Sequence, residues 1–243
     1  PNPQSPIPKD IKYDLNFSGF VKSILQLRDG RLVSTAKDNN TIKIWDIDNP
    51  VPGPNGKEKI NCELTLSGHR ESVTCVFQLP DERLVTSSKD KTVCIWEPLG
   101  RSFQQKENLI EHTEGIYVIC ELSWGRVASG SEDTTIRIWS NKDGKYKCTL
   151  ILGGHTKGIR ALCQLKDERL VSGSEDATIK VWKIEDDKFT VLQSFPAHHK
   201  GITCLSQLSD DRLMSASRDG SSTLGGVSQG SFGQGANSKL NNS

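Results

Sequence analysis

The chain is predicted to be all-β: a β-propeller of four-stranded antiparallel blades, with about five repeats. Three observations predict it. His69, His112, His155 and His198 stand 43 residues apart. Asp90, Asp133, Asp176 and Asp219 keep the same interval, as do Trp96, Trp139 and Trp182. Between them run short apolar segments such as Ile159-Arg160-Ala161-Leu162-Cys163-Gln164-Leu165 and Thr178-Ile179-Lys180-Val181-Trp182, bounded by turn residues. A period of about 40–45 residues that closes on a strand-borne Trp marks a propeller blade.

The totals set the bounds. A chain of 243 residues is long enough for a single domain with a large core. Its 31 basic and 30 acidic residues leave a formal charge of +1, too balanced for an electrostatic nucleic-acid footprint. No stretch approaches the ~18 apolar residues of a membrane span, so no membrane insertion is expected. The seven cysteines form no C-x-x-C pair, which argues against a zinc or redox site. They read as small buried hydrophobes. Their odd number, without a secretory signal, points to a reducing compartment: the cytoplasm, with the nucleus as alternative. No Gly-rich motif follows a strand to open a helix, so no cofactor is expected. The chain opens at Pro1 rather than Met, and a fragment of a longer protein is the expectation.

Taken in order, residues 1–10 carry four prolines and read as an extended leader. The propeller is placed over 11–219, with repeats near 15–48, 64–97, 108–140, 150–183 and 192–219. Residues 11–18 alternate apolar and polar, as a half-buried strand does, and align with Cys62–Ser67. The first repeat departs from the pattern. Gly19-Phe20 stands where a Gly-His is expected, and packing of Phe20 is expected to hold that loop. Asp48-Asn49-Pro50-Val51-Pro52-Gly53-Pro54-Asn55-Gly56 excludes helix or central strand and reads as a surface loop. The fifth repeat runs from His198 to Asp219 and then loses its pattern. Residues 220–243, rich in Ser, Gly and Asn, read as a flexible tail, with Leu224 and Val227 marking a weak strand.

With these residues in place, the chain resembles the WD-repeat (beta-transducin repeat, WD40) family over roughly residues 13–219. Gly68-His69 to Trp96-Glu97, Glu111-His112 to Trp139-Ser140 and Gly154-His155 to Trp182-Lys183 carry the likeness, and Trp45-Asp46 keeps the full Trp-Asp pair. The resemblance implies blades whose outermost strand precedes the three inner strands of the next repeat. It also implies rings that most often close with seven blades. The expectation is therefore a piece of a larger ring, with a five-bladed ring as the alternative. Closure matters because an open sheet edge invites aggregation.

His69, Thr86, Asp90 and Trp96 recur as His112, Ser129, Asp133 and Trp139, and again as His155, Ser172, Asp176 and Trp182. Ser, His and Asp together suggest a hydrolase triad. A catalytic site is built once, however, whereas this set recurs, and no Ser sits on a Gly-x-Ser-x-Gly elbow. The resemblance places the Asp in the turn between second and third strands, the His in the loop leading to the first, the hydroxyl on the second and the Trp on the third. In that order each group offers what the next requires: carboxylate to imidazole, imidazole to hydroxyl, hydroxyl to indole N–H. A structural tetrad is expected, no catalytic residue is assigned, and the chain is read as a non-enzyme. An enzyme with a site in the central channel is the remaining alternative.

Arg31, Arg83, Arg126, Arg169 and Arg212 open the second strands, usually after an acidic turn: Asp29-Gly30, Asp81-Glu82, Asp167-Glu168 and Asp210-Asp211. Each is expected to pair with its turn and cover apolar surface with its stem, rather than form an anion-binding ring. Ser123-Trp124-Gly125 breaks the series and makes Trp124 an exposed contact candidate.

The resemblance places partners on the face carrying the loops before the first strand and after the second. Lys37, Lys89, Glu132, Glu175 and Arg218 border it, with Arg70, His199 and Lys200 from the leading loops. Its mixed charge suits a protein or peptide with its own charge pattern. The expected function is a non-catalytic interaction scaffold, in a multiprotein complex. The alternative is the substrate-recognition propeller of a larger assembly such as a ubiquitin ligase, reading a phosphorylated or charged segment with Arg70, Lys89, His199, Lys200 and Arg218.

Overall fold

Among the described residues, twenty-one short strands alternate with tight turns. A computed structural model describes residues 20–36, 40–53, 58–186 and 188–226. The leader, the strand expected at 11–18, Lys37, Asp38 and residues 227–243 lie outside the described residues.

The strands group by sheet. Blade 1 holds β1 (Val21–Gln26), β2 (Leu32–Ala36), β3 (Thr41–Trp45) and β6 (Cys62–Ser67). Blade 2 holds β7 (Val73–Gln78), β8 (Leu84–Ser88), β9 (Val93–Leu99) and β10 (Ser102–Leu109). Blade 3 holds β11 (Ile116–Leu122), β12 (Arg126–Ser131), β13 (Ile136–Lys142) and β14 (Lys145–Leu152). Blade 4 holds β15 (Ile159–Gln164), β16 (Leu170–Ser174), β17 (Thr178–Ile184) and β18 (Phe189–Pro196). Blade 5 has three described strands: β19 (Ile202–Gln207), β20 (Arg212–Ser217) and β21 (Ser222–Gly226). All pairings are antiparallel, as hairpin connections require.

Three sequence expectations change here. The Pro-rich stretch after Asp48 contains a small ribbon, β4 (Val51–Pro52) against β5 (Glu58–Lys59), standing apart from the blades. Phe20, expected to hold its loop by packing, is 75% exposed. The fifth sheet also runs past the boundary placed at residue 219, since β21 pairs with β20 from Ser222 to Gly226.

The core lies between blades. Ile42, Ile44 and Leu66 of blade 1 meet Val76, Leu84 and Trp96 of blade 2. Val85 and Ile95 meet Ile119 and Trp139, Ile136 and Ile138 meet Leu162 and Trp182, and Val171 and Val181 meet Leu205 and Leu213. Alternation explains this, because one face of each strand points to each neighbouring sheet. Full burial of such a side chain contributes about 1.5–3 kcal/mol. The innermost strands pack in series, β1 on β7, β7 on β11, β11 on β15 and β15 on β19. Among the described residues β19 and β1 share no contact of comparable extent.

Each innermost strand carries a register shift at its second residue: between Val21 and Ser23, Val73 and Cys75, Ile116 and Val118, Ile159 and Ala161, and Ile202 and Cys204. The skipped residues are Lys22, Thr74, Tyr117, Arg160 and Thr203. A bulge bends a strand and re-aims the side chain it leaves unpaired.

Candidate functional site

The repeated polar residues are joined as donors and acceptors in one order. In blade 4, His155 Nδ1 lies 2.9 Å from Asp176 Oδ2, His155 Nε2 lies 2.8 Å from Ser172 Oγ, and Trp182 Nε1 donates to Ser172 Oγ at 2.7 Å. An ionised carboxylate can only accept, so Nδ1 carries the proton and Nε2 accepts from the hydroxyl. Blade 3 repeats this through Asp133, His112, Ser129 and Trp139 at 2.7, 2.8 and 2.8 Å. Blade 2 does so through Asp90, His69, Thr86 and Trp96 at 3.0, 2.8 and 2.9 Å. Blade 1 keeps the last link, Trp45 to Ser34 at 2.9 Å.

A further hydroxyl, not singled out from the sequence, completes each network. Thr92, Thr135 and Thr178 donate to the Oδ1 of their Asp at 2.6 Å. Burial opposes the charge of each Asp, but the hydrogen bonds outweigh it. Those from His69 and Thr92 hold Asp90, and those from His112 and Thr135 hold Asp133, well below the usual carboxylate range. Thr178, Thr156 N–H and His155 hold Asp176 at about 2. Burial pushes the His155 imidazole below its ordinary value against the pull of Asp176. These histidines and hydroxyls are thus occupied in tying loop to strand, and the hydroxyls of Thr86, Ser129 and Ser172 are fully buried. Their arrangement holds the fold and leaves no free nucleophile there.

The bulges assemble a different set where the innermost strands converge, at what would be the mouth of a propeller's channel. Lys22, Thr74, Tyr117, Arg160 and Thr203 line a cavity of about 360 Å³ with Lys89. Neighbouring blades come close there because Gly201 stands opposite Glu175: a Cβ on Gly201 would meet Glu175 Cα at 2.9 Å. The walls are electrostatically uneven. On one side, Arg160 stacks on the Tyr117 ring at 3.3 Å and pairs with Glu175 at 2.6 Å, while Tyr117 donates a short hydrogen bond to Glu132. Arg218 reaches the same Glu175 at 3.1 Å. On the other side Lys22 and Lys89 are exposed and make no ion pair among the described residues.

Of the residues singled out from sequence, Lys89 lines the mouth, Glu132 and Glu175 anchor its polar network, and Arg218 is tied to Glu175. Arg70, His199 and Lys200 are exposed in the leading loops. The backbone N–H groups of Arg70 and His199 cap Asp90 and Asp219 at 2.8 and 2.9 Å. Lys37 lies outside the described residues. Lys22, Tyr117 and Arg160 were missed. Their signal is positional: Thr74, Tyr117, Arg160 and Thr203 keep the 43-residue interval without keeping one identity throughout.

Trp124 lies at the other end of the strands, in the β11–β12 turn, and is 85% exposed. The turns of the other blades hold acid–arginine pairs: Asp29–Arg31 at 2.7 Å and Asp81–Arg83, Asp167–Arg169 and Asp210–Arg212 at 2.6 Å. All seven cysteines are free thiols. Cys62 and Cys204 are exposed, contrary to the buried expectation, because they sit on sheet margins. Burial pushes Cys94 and Cys120 up to about 12, which makes them poor nucleophiles. Among the described residues, no group of three or more His, Cys, Asp or Glu is placed to hold a metal ion, and no helix is long and apolar enough to cross a membrane.

Comparison with known proteins agrees with this geometry. Similar proteins include the "Ribosome biogenesis protein WDR12 homolog" of Aedes aegypti, 34% identical over 76 residues, covering 27% of this chain and 18% of that protein. "Periodic tryptophan protein 2" of Saccharomyces cerevisiae is 31% identical over 112 residues, 41% of this chain and 11% of that one. The chain thus spans less than a fifth of the length of these relatives. The solved structure of the RRP9 WD40 repeats superposes with a TM-score of 0.70 at 23% identity, over 88% of this chain and 62% of that one. The family described as "WD domain, G-beta repeat" matches residues 13–46, 60–97, 103–140, 146–183 and 189–222. Those matches span all five blades, with the His–hydroxyl–Trp networks of blades 2, 3 and 4 inside them, and the chain belongs to this WD-repeat family.

Proposed function

We propose that this chain is a non-catalytic interaction scaffold that presents its channel mouth to a protein or peptide partner. One observation carries the reading. The residues that repeat in identity are spent on internal hydrogen bonds, whereas those re-aimed by the bulges are of four kinds over five blades: Lys22, Thr74, Tyr117, Arg160 and Thr203. A surface that varies on a constant frame is suited to recognition. A role within a multiprotein assembly inside the cell, cytoplasmic or nuclear, fits a relative named for ribosome biogenesis. The test is capture from cell lysate with the parent chain and with Lys22→Glu combined with Lys89→Glu. Both side chains are exposed, so folding should be unaffected. Partners held by the parent and lost by the variant support the reading; the same partners on both remove the mouth from it.

A second reading has its own observation. Three cations and three hydroxyls line the mouth, and Lys22 and Lys89 lack an internal counter-charge among the described residues. That set suits an anionic group on the partner, such as a phosphorylated side chain, as in the substrate-recognition part of a larger assembly. Fluorescence anisotropy with paired phosphorylated and unphosphorylated peptides tests it, and equal binding of the two argues against it.

A further inference from the structure

Four blades carry an internal template that the remaining one leaves unfilled. In blades 1, 2, 4 and 5 the turn after the innermost strand places an Asp two residues before the Arg. The carboxylate takes the guanidinium fork: Nε and Nη2 donate to Oδ2 at 2.9 and 2.6 Å in Arg83–Asp81, and at 2.8 and 2.6 Å in Arg169–Asp167. Blade 3 has a turn of the same length, but Trp124 stands where the Asp should be. Arg126 keeps a single bond, from Nε to Ser123 O at 3.2 Å, and has no carboxylate within ion-pair distance among the described residues. Trp124 sits at φ 69°, a left-handed conformation unfavourable for a bulky side chain.

Trp124 divides two cavities. One, of about 590 Å³, has a mixed lining, with Pro80, Leu122 and Leu162 beside Glu121, Ser123 and Gln164. The other, of about 410 Å³, lies between blades 3 and 4. It has Arg126 and Lys142 on one wall and Glu168 and Asp186 on the other.

We propose that the β11–β12 corner docks an extended segment of a partner protein that carries an acidic residue beside an apolar one. The partner's carboxylate takes the fork of Arg126, as Asp81, Asp167 and Asp210 do for their arginines. The apolar side chain lies on the exposed indole of Trp124. Glu168 and Asp186 repel a second acid and favour a basic residue on the blade 4 side. The segment is therefore of mixed charge rather than polyacidic. This site is at the opposite end of the strands from the channel mouth and stands without it.

The test is selection of a displayed library of random linear peptides on the whole chain, with the Trp124→Asp chain as counter-target. That substitution installs the acid found in the other blades. The expected peptides carry an acid next to an apolar residue and lose affinity about tenfold or more on Trp124→Asp and on Arg126→Glu, as truncation of an interface anchor does. They keep their affinity for Lys22→Glu. Trp45, Trp96, Trp139 and Trp182 are buried, so acrylamide quenching of intrinsic fluorescence reports Trp124, and bound peptide should protect it. Melting curves establish that the variants fold; should Trp124→Asp not fold, Trp124→Ala carries the same comparison. No enrichment, enrichment without acids, equal binding to the variants, or unprotected fluorescence overturns the proposal.

Discussion

Blades 4 and 5 share the leading loop, the histidine, the hydroxyl and the aspartate, and differ in what stands behind them. Leu170 of β16 faces Trp182, and at the same register Leu213 of β20 faces Gly225. In blade 4 the indole donates to Ser172, and His155 meets Asp176 at 2.9 Å. In blade 5 Thr223 Oγ1 takes the indole's place, 3.0 Å from Ser215 Oγ and 2.9 Å from His198 Nε2. His198 has drawn away to 3.6 Å from Asp219, and Ser221 bridges the gap, with its Oγ 2.9 Å from His198 Nδ1 and 2.5 Å from Asp219 Oδ1. The fully buried Trp182 is packed under β18, whereas β21 is half-buried along its whole length. The difference teaches that the indole does two jobs. It fills the space between blades, and it fixes the hydroxyl that sets the imidazole against its carboxylate.

The largest effect should come from removing that support. Trp182→Ala empties a fully buried site and takes from the Ser172 hydroxyl the indole donor, leaving it only His155, a loss of about 3–5 kcal/mol in chemical denaturation. Leu213→Ala, which faces no indole, loses the smaller volume and no hydrogen bond, about 2–3 kcal/mol. Equal losses would show that the indole is only filler.

Next come the carboxylates. Asp176 accepts from His155, from the backbone of Thr156 and Thr178, and from the Thr178 hydroxyl. Asp176→Ala leaves these donors without a partner and should cost about 2–3 kcal/mol. Asp219→Ala should cost about 1 kcal/mol, because Ser221 still serves the imidazole and the site is already loosened. Thermal melts of both variants read the difference, and a reversed order would break the comparison.

The contrast also marks what the sequence could disclose. The 43-residue interval exposed the blades, the tetrads and the arginine series because in those places identity itself repeats. The bulges are a backbone event, so the convergence of Lys22, Tyr117 and Arg160 had no signal in residue type. Strand β21 escaped full recognition because Ser222–Gly226 has little apolar content; its register comes from main-chain bonds to β20. Arg218 was counted with the free cations of blade 5, whereas Glu175 of the neighbouring blade holds it. Pairings across a blade boundary depend on how sheets are set against each other, which periodicity alone does not specify.

The smallest expected effect is in the pH profile, and it measures how tightly each imidazole is coupled. Burial lowers His155 and His198 below the ordinary 6.5, opposed by Asp176 and Asp219. A folded-state value below the unfolded one means the unfolded chain takes up the proton first. Stability is therefore complete above pH 6.5 and falls as pH drops below it. A second decline begins below 3.8 and runs to about 2, where Asp176 loses the charge its hydrogen bonds hold, worth on the order of 1–2 kcal/mol. Asp176→Ala removes what opposes burial at His155, so its pKa falls further and the first decline extends to lower pH. Asp219→Ala should alter that limb less, since His198 stands 3.6 Å from Asp219 and leans on Ser221. Denaturation midpoints between pH 7 and pH 4 for the parent and both variants separate the cases, because if distance to the carboxylate sets the coupling, only the blade 4 variant steepens.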